Sequence, residues 1–106
     1  MERSAPVERR LAAIVAADVV GYSRLIGADE EGTLARLGSL RREIIDPTIV
    51  RHRGRIVKTT GDGLLIEFAS VVEAVRCASE IQDGVWVRNE NERDDRKILL
   101  RIGVNL

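Results

Sequence analysis

Two strand-like segments on either side of Gly61-Asp62-Gly63 constrain the fold more than any other feature of the sequence. Residues 56–60 and 64–68 each have the length and the content of β-branched or aromatic residues that are typical of a strand. Asp-Gly between such segments is a strong hairpin signal. The sequence therefore predicts a β-hairpin. Turn formation alone is sufficient to explain Asp62, and a second role in binding a ligand stays open.

Upstream of the hairpin, the sequence predicts a strand and then a long helix. Residues 11–20 form an almost continuous apolar run, typical of a buried strand or a short helix, and the ending Val19-Val20-Gly21 favours the strand. We expect Pro47 to kink or split the helix and Gly54 to end it as a C-cap. The helix begins near the acids at 29–31, and its apolar stripe contains Leu34, Leu37, Leu40, Ile44, Ile45 and Ile49.

Downstream of the hairpin, the pattern predicts a second helix and a last strand. Ser70 and Glu73 form a capping box. The apolar side of the helix that follows contains Val71, Ala74, Val75, Ala78, Ile81 and Val85. Residues 88–97 are polar and indicate a connection. The closing strand is predicted from the alternation of Ile98, Leu100, Ile102 and Val104.

The order of these elements predicts an α+β fold of the ferredoxin-like βαββαβ type. A hairpin and two crossovers give an antiparallel four-stranded sheet with both helices on one face. We assign residues 1–9 to a flexible leader and residues 10–106 to the domain.

Composition narrows the class of protein. The 17 basic and 17 acidic residues balance, and aromatic residues are only 3% of the chain, so neither charge nor base stacking favours a nucleic-acid partner. No apolar run approaches the roughly 20 residues of a membrane span, and we expect a cytoplasmic domain. The single cysteine, Cys77, excludes an internal disulfide and is interpreted as a small helix residue. We interpret His52 as a solvated residue and Trp86 as a packing residue.

Asp18 and Asp62 are the candidate metal ligands. Asp18 lies among apolar or small neighbours, and a buried carboxylate requires a partner or a metal. The alternatives are that its strand ends earlier and leaves it exposed, or that it caps a loop. In the predicted sheet, the two carboxylates converge at one edge, where paired acids suit Mg²⁺ or Mn²⁺. The glycine turn at Gly21, with Tyr22 and Ser23, can offer backbone N–H groups to phosphate.

Three segments carry a resemblance to a known family. Residues 16–37, AADVVGYSRLIGADEEGTLARL, contain Asp-x-x-Gly-Tyr-Ser, and residues 54–70, GRIVKTTGDGLLIEFAS, contain Lys-Thr-x-Gly-Asp. With LLRIGVNL at 99–106, they resemble the catalytic core of class III nucleotidyl cyclases, in particular bacterial adenylate cyclases of the rhizobial type. The resemblance covers residues 10–106.

The resemblance implies an adenylate cyclase that converts ATP to 3′,5′-cyclic AMP and pyrophosphate for intracellular signalling. Asp18 and Asp62, with the carbonyl of Val19, would hold two Mg²⁺ or Mn²⁺ ions. Backbone N–H groups from Val20 to Ser23, including those of Gly21 and Tyr22, would lie near the phosphates. Lys58 would bind adenine in a site of a homodimer whose metals the other subunit holds.

The chain also departs from the family's pattern, because catalytic domains of the family continue beyond the strand that closes at Leu106. The Asn and Arg that stabilise the transition state in the family match no residue here. We therefore expect little or no cyclase activity from this chain alone, and substantial cyclic AMP production by the purified chain would contradict this. The alternative is a non-catalytic ferredoxin-like module for nucleotide binding or dimerisation.

Overall fold

The structure, a computed structural model, describes residues 11–106 and contains the predicted antiparallel sheet. Its strands are β1 (Ala13–Val19), β2 (Arg55–Thr59), β3 (Leu64–Phe68) and β4 (Leu100–Asn105), in the spatial order β2-β3-β1-β4. Its helices are α1 (Tyr22–Ala28), α2 (Glu30–Leu40), α3 (Asp46–Arg51) and α4 (Val71–Asn89), with a π-helical turn at Arg41–Ile45 and a 3₁₀ turn at Asp94–Arg96. The α+β, ferredoxin-like prediction is confirmed. The predicted leader lies outside the described residues.

One face of the sheet forms the core. Alternate residues of β1 (Ala13, Val15) and of β3 (Leu64, Ile66, Phe68) are buried there, and α4 packs on β1, β3 and β4. The intervening residues point to the opposite face, where side chains are partly or fully exposed. We call this second side the open face of the sheet and define it by Ala16, Asp18, Leu65, Glu67 and Arg101.

Helix α1 was not predicted. Gly21 precedes it with a φ of 64°, a left-handed conformation that glycine adopts without steric cost. The helix has no acid in its first turn and contains Gly27, so its sequence lacks the usual helix signals. Leu25 alone is buried in it. The next helix begins where expected, with the Asp29 side chain accepting a hydrogen bond from the Gly32 N–H at 3.0 Å.

The long helix is irregular just before Pro47, where a kink or a split was expected, but α2, the π-helical turn and α3 follow one another without a gap. Without an N–H, proline removes one backbone hydrogen bond of the α-helix, and the residues just before α3 form the π-helical turn. The C-cap prediction for Gly54 is wrong, because the left-handed residue is Arg53, with a φ of 61°. A Cβ at Gly54 would lie 2.6 Å from Cε2 of Phe68. Position 54 therefore requires glycine for close packing against that ring.

Helix α4 buries a line of residues that differs in part from the prediction. Ala74, Ile81 and Val85 are buried as expected, and Cys77 belongs to the same line. Burial raises the pKa of the Cys77 thiol to about 11, so the thiol stays protonated. The predicted Val71 and Val75 are instead 38% and 52% exposed, because they lie to one side of the buried line.

Two further residues differ from expectation at the ends of these elements. Trp86, predicted to pack, is 73% exposed, because it directly follows the buried Val85 and so faces away from the core. Ile98 is buried but precedes β4, which begins at Leu100.

Within the described residues, no helix has the length and apolar character that crossing a membrane would require.

The prediction that His52 is solvated is wrong. Its side chain is 12% exposed, and its two ring nitrogens contact different carboxylates on α4. Nδ1 lies 2.8 Å from Oε1 of Glu73, and Nε2 lies 2.7 Å from Oε2 of Glu80. These hydrogen bonds, with Glu73 the larger contribution, raise the pKa of His52 above its ordinary value. The protonated imidazole thus joins the end of α3 to α4.

This contact predicts a pH-dependent stability. Because the pKa of His52 is raised on folding, its contribution is fully present below the unfolded pKa of about 6.5 and is lost as pH rises through the folded value. We expect the unfolding midpoint in urea to fall between pH 6 and pH 9 in the wild type. The fall should be smaller in His52→Gln, which cannot titrate. Equal pH slopes for the two proteins would contradict this assignment.

Candidate functional site

Asp18 lies on the open face near the end of β1, and its carboxylate is paired. Strand register places Asp18 opposite Arg101 of β4. The guanidinium donates from Nε to Oδ1 at 3.1 Å and from Nη2 to Oδ2 at 3.3 Å. The Asp18 side chain is 43% exposed, so it remains accessible from solvent. The sequence indicated that Asp18 needs a partner but did not identify Arg101 as that partner.

Asp62 lies in the β2–β3 turn, next to the same end of β1. Antiparallel pairing sets Ala17 opposite Leu64, so the turn that precedes β3 adjoins the last residues of β1. The Asp62 Oδ2 accepts a hydrogen bond from the Val19 N–H at 3.4 Å. The structure therefore brings the two predicted carboxylates to one end of the sheet.

The geometry of the turn explains its second glycine. Thr60 closes the turn, because its N–H donates to the Gly63 carbonyl at 2.9 Å and its Oγ1 accepts from the Gly63 N–H at 3.1 Å. A Cβ at Gly63 would lie 2.7 Å from this Oγ1. Neither Gly61 nor Gly63 has a positive φ. The hairpin is thus the one predicted, but close approach rather than left-handed backbone requires glycine at position 63.

A β-bulge determines which way Lys58 points. Ile56 pairs with Ile66 and Lys58 pairs with Leu65, so Val57 is an extra residue in β2. A regular ladder would have set Lys58 opposite Leu64, on the buried face. The bulge instead aligns Lys58 with the open face, on the same side of the sheet as Asp18.

Asp18, Asp62 and Lys58 line one groove of about 300 Å³. The Thr60 side of the turn lines it as well, and Ala16, Ala17, Gly63, Leu64 and Leu65 complete its walls. Among residues 11–106, no group of three or more His, Cys, Asp or Glu side chains is placed to hold a metal. Two carboxylates are nevertheless a suitable protein donor set for Mg²⁺ or Mn²⁺, since such ions keep several waters and also bind substrate phosphates. Asp18 would have to separate from Arg101 to offer both of its oxygens to such a cation.

The predicted phosphate-binding segment adjoins this groove. Tyr22 begins α1, and its ring lies 4.0 Å from the Cβ position of Gly61 in the turn. The first N–H groups of a helix, here those of Tyr22 and Ser23, have no partner within the helix. The Val20 N–H, in contrast, donates to the Leu99 carbonyl at 2.8 Å. Val20 therefore cannot offer its N–H to phosphate while it pairs with Leu99, and that part of the prediction is corrected.

No family model matches the chain. Over 100 residues, it is 49% identical to a protein of Rhizobium meliloti (strain 1021) named "Putative adenylate cyclase 3", and the match covers 94% of this chain and 17% of that protein.

Two solved structures share the fold. The crystal structure of an adenylate/guanylate cyclase/hydrolase from Silicibacter pomeroyi aligns with a TM-score of 0.82 and 50% identity, covering 92% of this chain and 57% of that one. The guanylyl cyclase Cya2 aligns with a TM-score of 0.75 and 24% identity, covering 92% and 54%. The chain thus spans a little over half of these two solved chains and a much smaller part of the curated relative.

Proposed function

The chain is homologous to part of the adenylate/guanylate cyclase catalytic domain, and from this premise we propose that it contributes the metal-binding part of an adenylate cyclase site. The reaction of that site converts ATP to 3′,5′-cyclic AMP and pyrophosphate. The observation that carries the proposal is the groove that Asp18 and Asp62 line together. The two carboxylates come from β1 and from the β2–β3 turn.

In this proposal, Asp18, Asp62 and the carbonyl of Val19 hold two Mg²⁺ or Mn²⁺ ions. When bound, such ions supply Lewis-acid stabilisation of the attacking and leaving oxygens of a phosphoryl transfer. The two carboxylates fix the metal position relative to the sheet, because each is attached near a β-strand end. The N–H groups of Gly21, Tyr22 and Ser23 orient the phosphates beside them.

Lys58 provides the preference for adenine. Its ammonium has three donors and no acceptor, which suits the acceptor nitrogens of adenine. We assign it to the site of a homodimer in which the other subunit holds the metals. The inactivity expected of this chain alone remains a prediction.

A manganese titration followed by NMR tests the proposal. We expect Mn²⁺, with or without ATP, to broaden amide signals around Asp18, Gly21 and Asp62 while signals of α4 stay sharp. ATP should bind more tightly than GTP in the presence of Mn²⁺, and the difference should be lost in Lys58→Glu. Absence of localised broadening would reject the metal site and favour the non-catalytic module instead.

Arg101 is expected to compete with the metal. In the metal-free protein, its guanidinium neutralises Asp18, and an exposed ion pair of this kind is worth about 0.2–1 kcal/mol. Arg101→Gln should therefore bind Mn²⁺ up to about fivefold more tightly than the wild type, as measured by calorimetry without nucleotide.

Arg76→Gln is the matched control, because Arg76 is exposed on α4 and takes no part in the groove. It should bind Mn²⁺ as the wild type does. Weaker or unchanged Mn²⁺ binding by Arg101→Gln would show that the Asp18–Arg101 pair does not oppose metal binding.

A further inference from the structure

A second cavity, of about 270 Å³, lies between α2, the end of α4 and the segment that leads into β4. None of the residues of the proposed cyclase groove lines it. Its lining residues are Ala35, Arg36, Ser39, Leu40, Arg88, Asn89, Glu92, Arg96 and Ile98. At about 30 Å³ per water molecule, the volume corresponds to roughly nine waters, which is enough for a small organic molecule.

Basic side chains predominate among the residues that line this cavity, although two of them contact carboxylates outside the lining. Arg36, Arg88 and Arg96 contribute three guanidinium groups against the single lining carboxylate of Glu92. Arg88 is already engaged, since it donates to the Ser39 hydroxyl and lies 2.9 Å from Oε1 of Glu43. The Arg96 side chain makes no hydrogen bond or ion pair with any residue between 11 and 106, although its backbone N–H donates to the Arg93 carbonyl at 2.9 Å.

Arg36 leaves a buried donor without a partner. Its Nη2 donates to the Thr33 hydroxyl at 3.3 Å, and its Nη1 lies 3.8 Å from Oδ2 of Asp29. Its Nε is buried and has no hydrogen-bond partner among the described residues. Buried donors are nearly always satisfied, so the unpaired Nε shows that the hydrogen-bonding capacity of the Arg36 guanidinium is not fully used within the described residues. A guanidinium presents its donors in a planar fork that matches carboxylate and phosphate oxygens.

The floor of the cavity is apolar. Leu40 and Ile98 are 3% and 5% exposed, so both are fixed in the core. Asn89 is neutral, and its side-chain amide donates to the Ile98 carbonyl at 2.9 Å. The cavity therefore combines cationic donors with an aliphatic surface, as ligand pockets with a few placed polar groups do.

We propose that this cavity binds a small organic anion, with a carboxylate or phosphate head group and a short aliphatic body. The head group accepts hydrogen bonds from Arg36 and Arg96, and the body lies on Leu40 and Ile98. This site is independent of the proposed metal groove and of its occupancy.

Octanoate is the probe, and the side-chain Nε–Hε signal of Arg36 in a ¹H–¹⁵N NMR spectrum is the main readout. We expect a saturable shift of this signal with octanoate and none with octan-1-ol, which lacks the charge. Arg36→Lys keeps the charge but lacks the guanidinium Nε, and Arg96→Gln removes an exposed charged group. Each should weaken octanoate binding at least fivefold, with Leu40 and Ile98 methyl signals as the second readout.

Arg76→Gln is again the matched control, and it should bind octanoate like the wild type. Equal binding of octan-1-ol, or equal octanoate affinity in Arg36→Lys, Arg96→Gln and Arg76→Gln, would overturn the proposal. Shifts spread evenly over all arginine signals would also overturn it, since they indicate unspecific ion pairing. Well-dispersed amide spectra of each variant establish that it is folded.

Discussion

Asp62→Asn is expected to weaken Mn²⁺ binding by at least about tenfold. Even the loss of groups that only support a metal ligand typically costs 10- to 100-fold in affinity, and Asp62 is one of only two carboxylates in the proposed site. Asparagine keeps a side-chain oxygen that can accept the Val19 N–H. The substitution therefore removes the charge with little change to the turn. Calorimetry and the NMR broadening described above measure the effect.

Asp83→Asn provides the control for charge alone, since Asp83 is exposed on α4. It should bind Mn²⁺ with wild-type affinity, and all variants should unfold at similar temperatures without metal. Asp18→Asn should resemble Asp62→Asn in metal affinity, although it also releases Arg101. Wild-type affinity in Asp62→Asn would show that Asp62 only forms the turn.

Gly54→Ala is expected to destabilise the fold strongly, although it adds a single methyl group. The added Cβ would lie 2.6 and 2.7 Å from two ring atoms of Phe68 and 3.0 Å from Cγ2 of Ile66. Phe68 and Ile66 are 1% and 0% exposed, so neither can move without disturbing the core. Overpacking of this kind costs about 1–3 kcal/mol. At the upper half of that range, the melting temperature should fall by roughly 10 °C or more.

Gly27→Ala is the matched control, because it adds the same methyl group where nothing lies within 4 Å. Gly27 belongs to α1, so alanine there should leave the melting temperature unchanged or raise it slightly. Thermal unfolding followed by circular dichroism compares the two variants with the wild type. If Gly54→Ala has the same melting temperature as Gly27→Ala, the ring of Phe68 is free to move and the packing argument is wrong.

The sequence was sufficient for the sheet and for the meeting of the two carboxylates. Strand periodicity and the Gly61-Asp62-Gly63 turn identified the hairpin, and the fold type set it beside β1. These are local signals, and the rules for connecting strands and helices leave few possible topologies for this order of elements. The partner of Asp18 was harder to predict. It depends on the register between two strands, and Arg101 lies 83 residues further along the chain. The alternation in β4 did indicate that Arg101 lies on the open face of the sheet, because its neighbours Leu100 and Ile102 point to the core.

Other features required side-chain packing that no local pattern reports. His52 contacts carboxylates 21 and 28 residues away, on a helix whose rotation the sequence alone left uncertain. Gly54 was misinterpreted as a C-cap, because its close contact with Phe68 gives no local signal in the sequence. In α4, two neighbouring apolar stripes were available, and packing against the sheet selected the one that includes Cys77. Helix rotation and close contacts were therefore the unpredictable part.

The bulge at Val57 also makes the two edges of the sheet unequal. An irregular edge strand with outward-facing charges resists pairing with another strand, and β2 has both the bulge and the exposed Arg55 and Lys58. At the other edge, β4 pairs with β1 through six residues without any irregularity, so its outer side offers a straight row of backbone donors and acceptors. A fifth strand would therefore pair more readily next to β4 than next to β2.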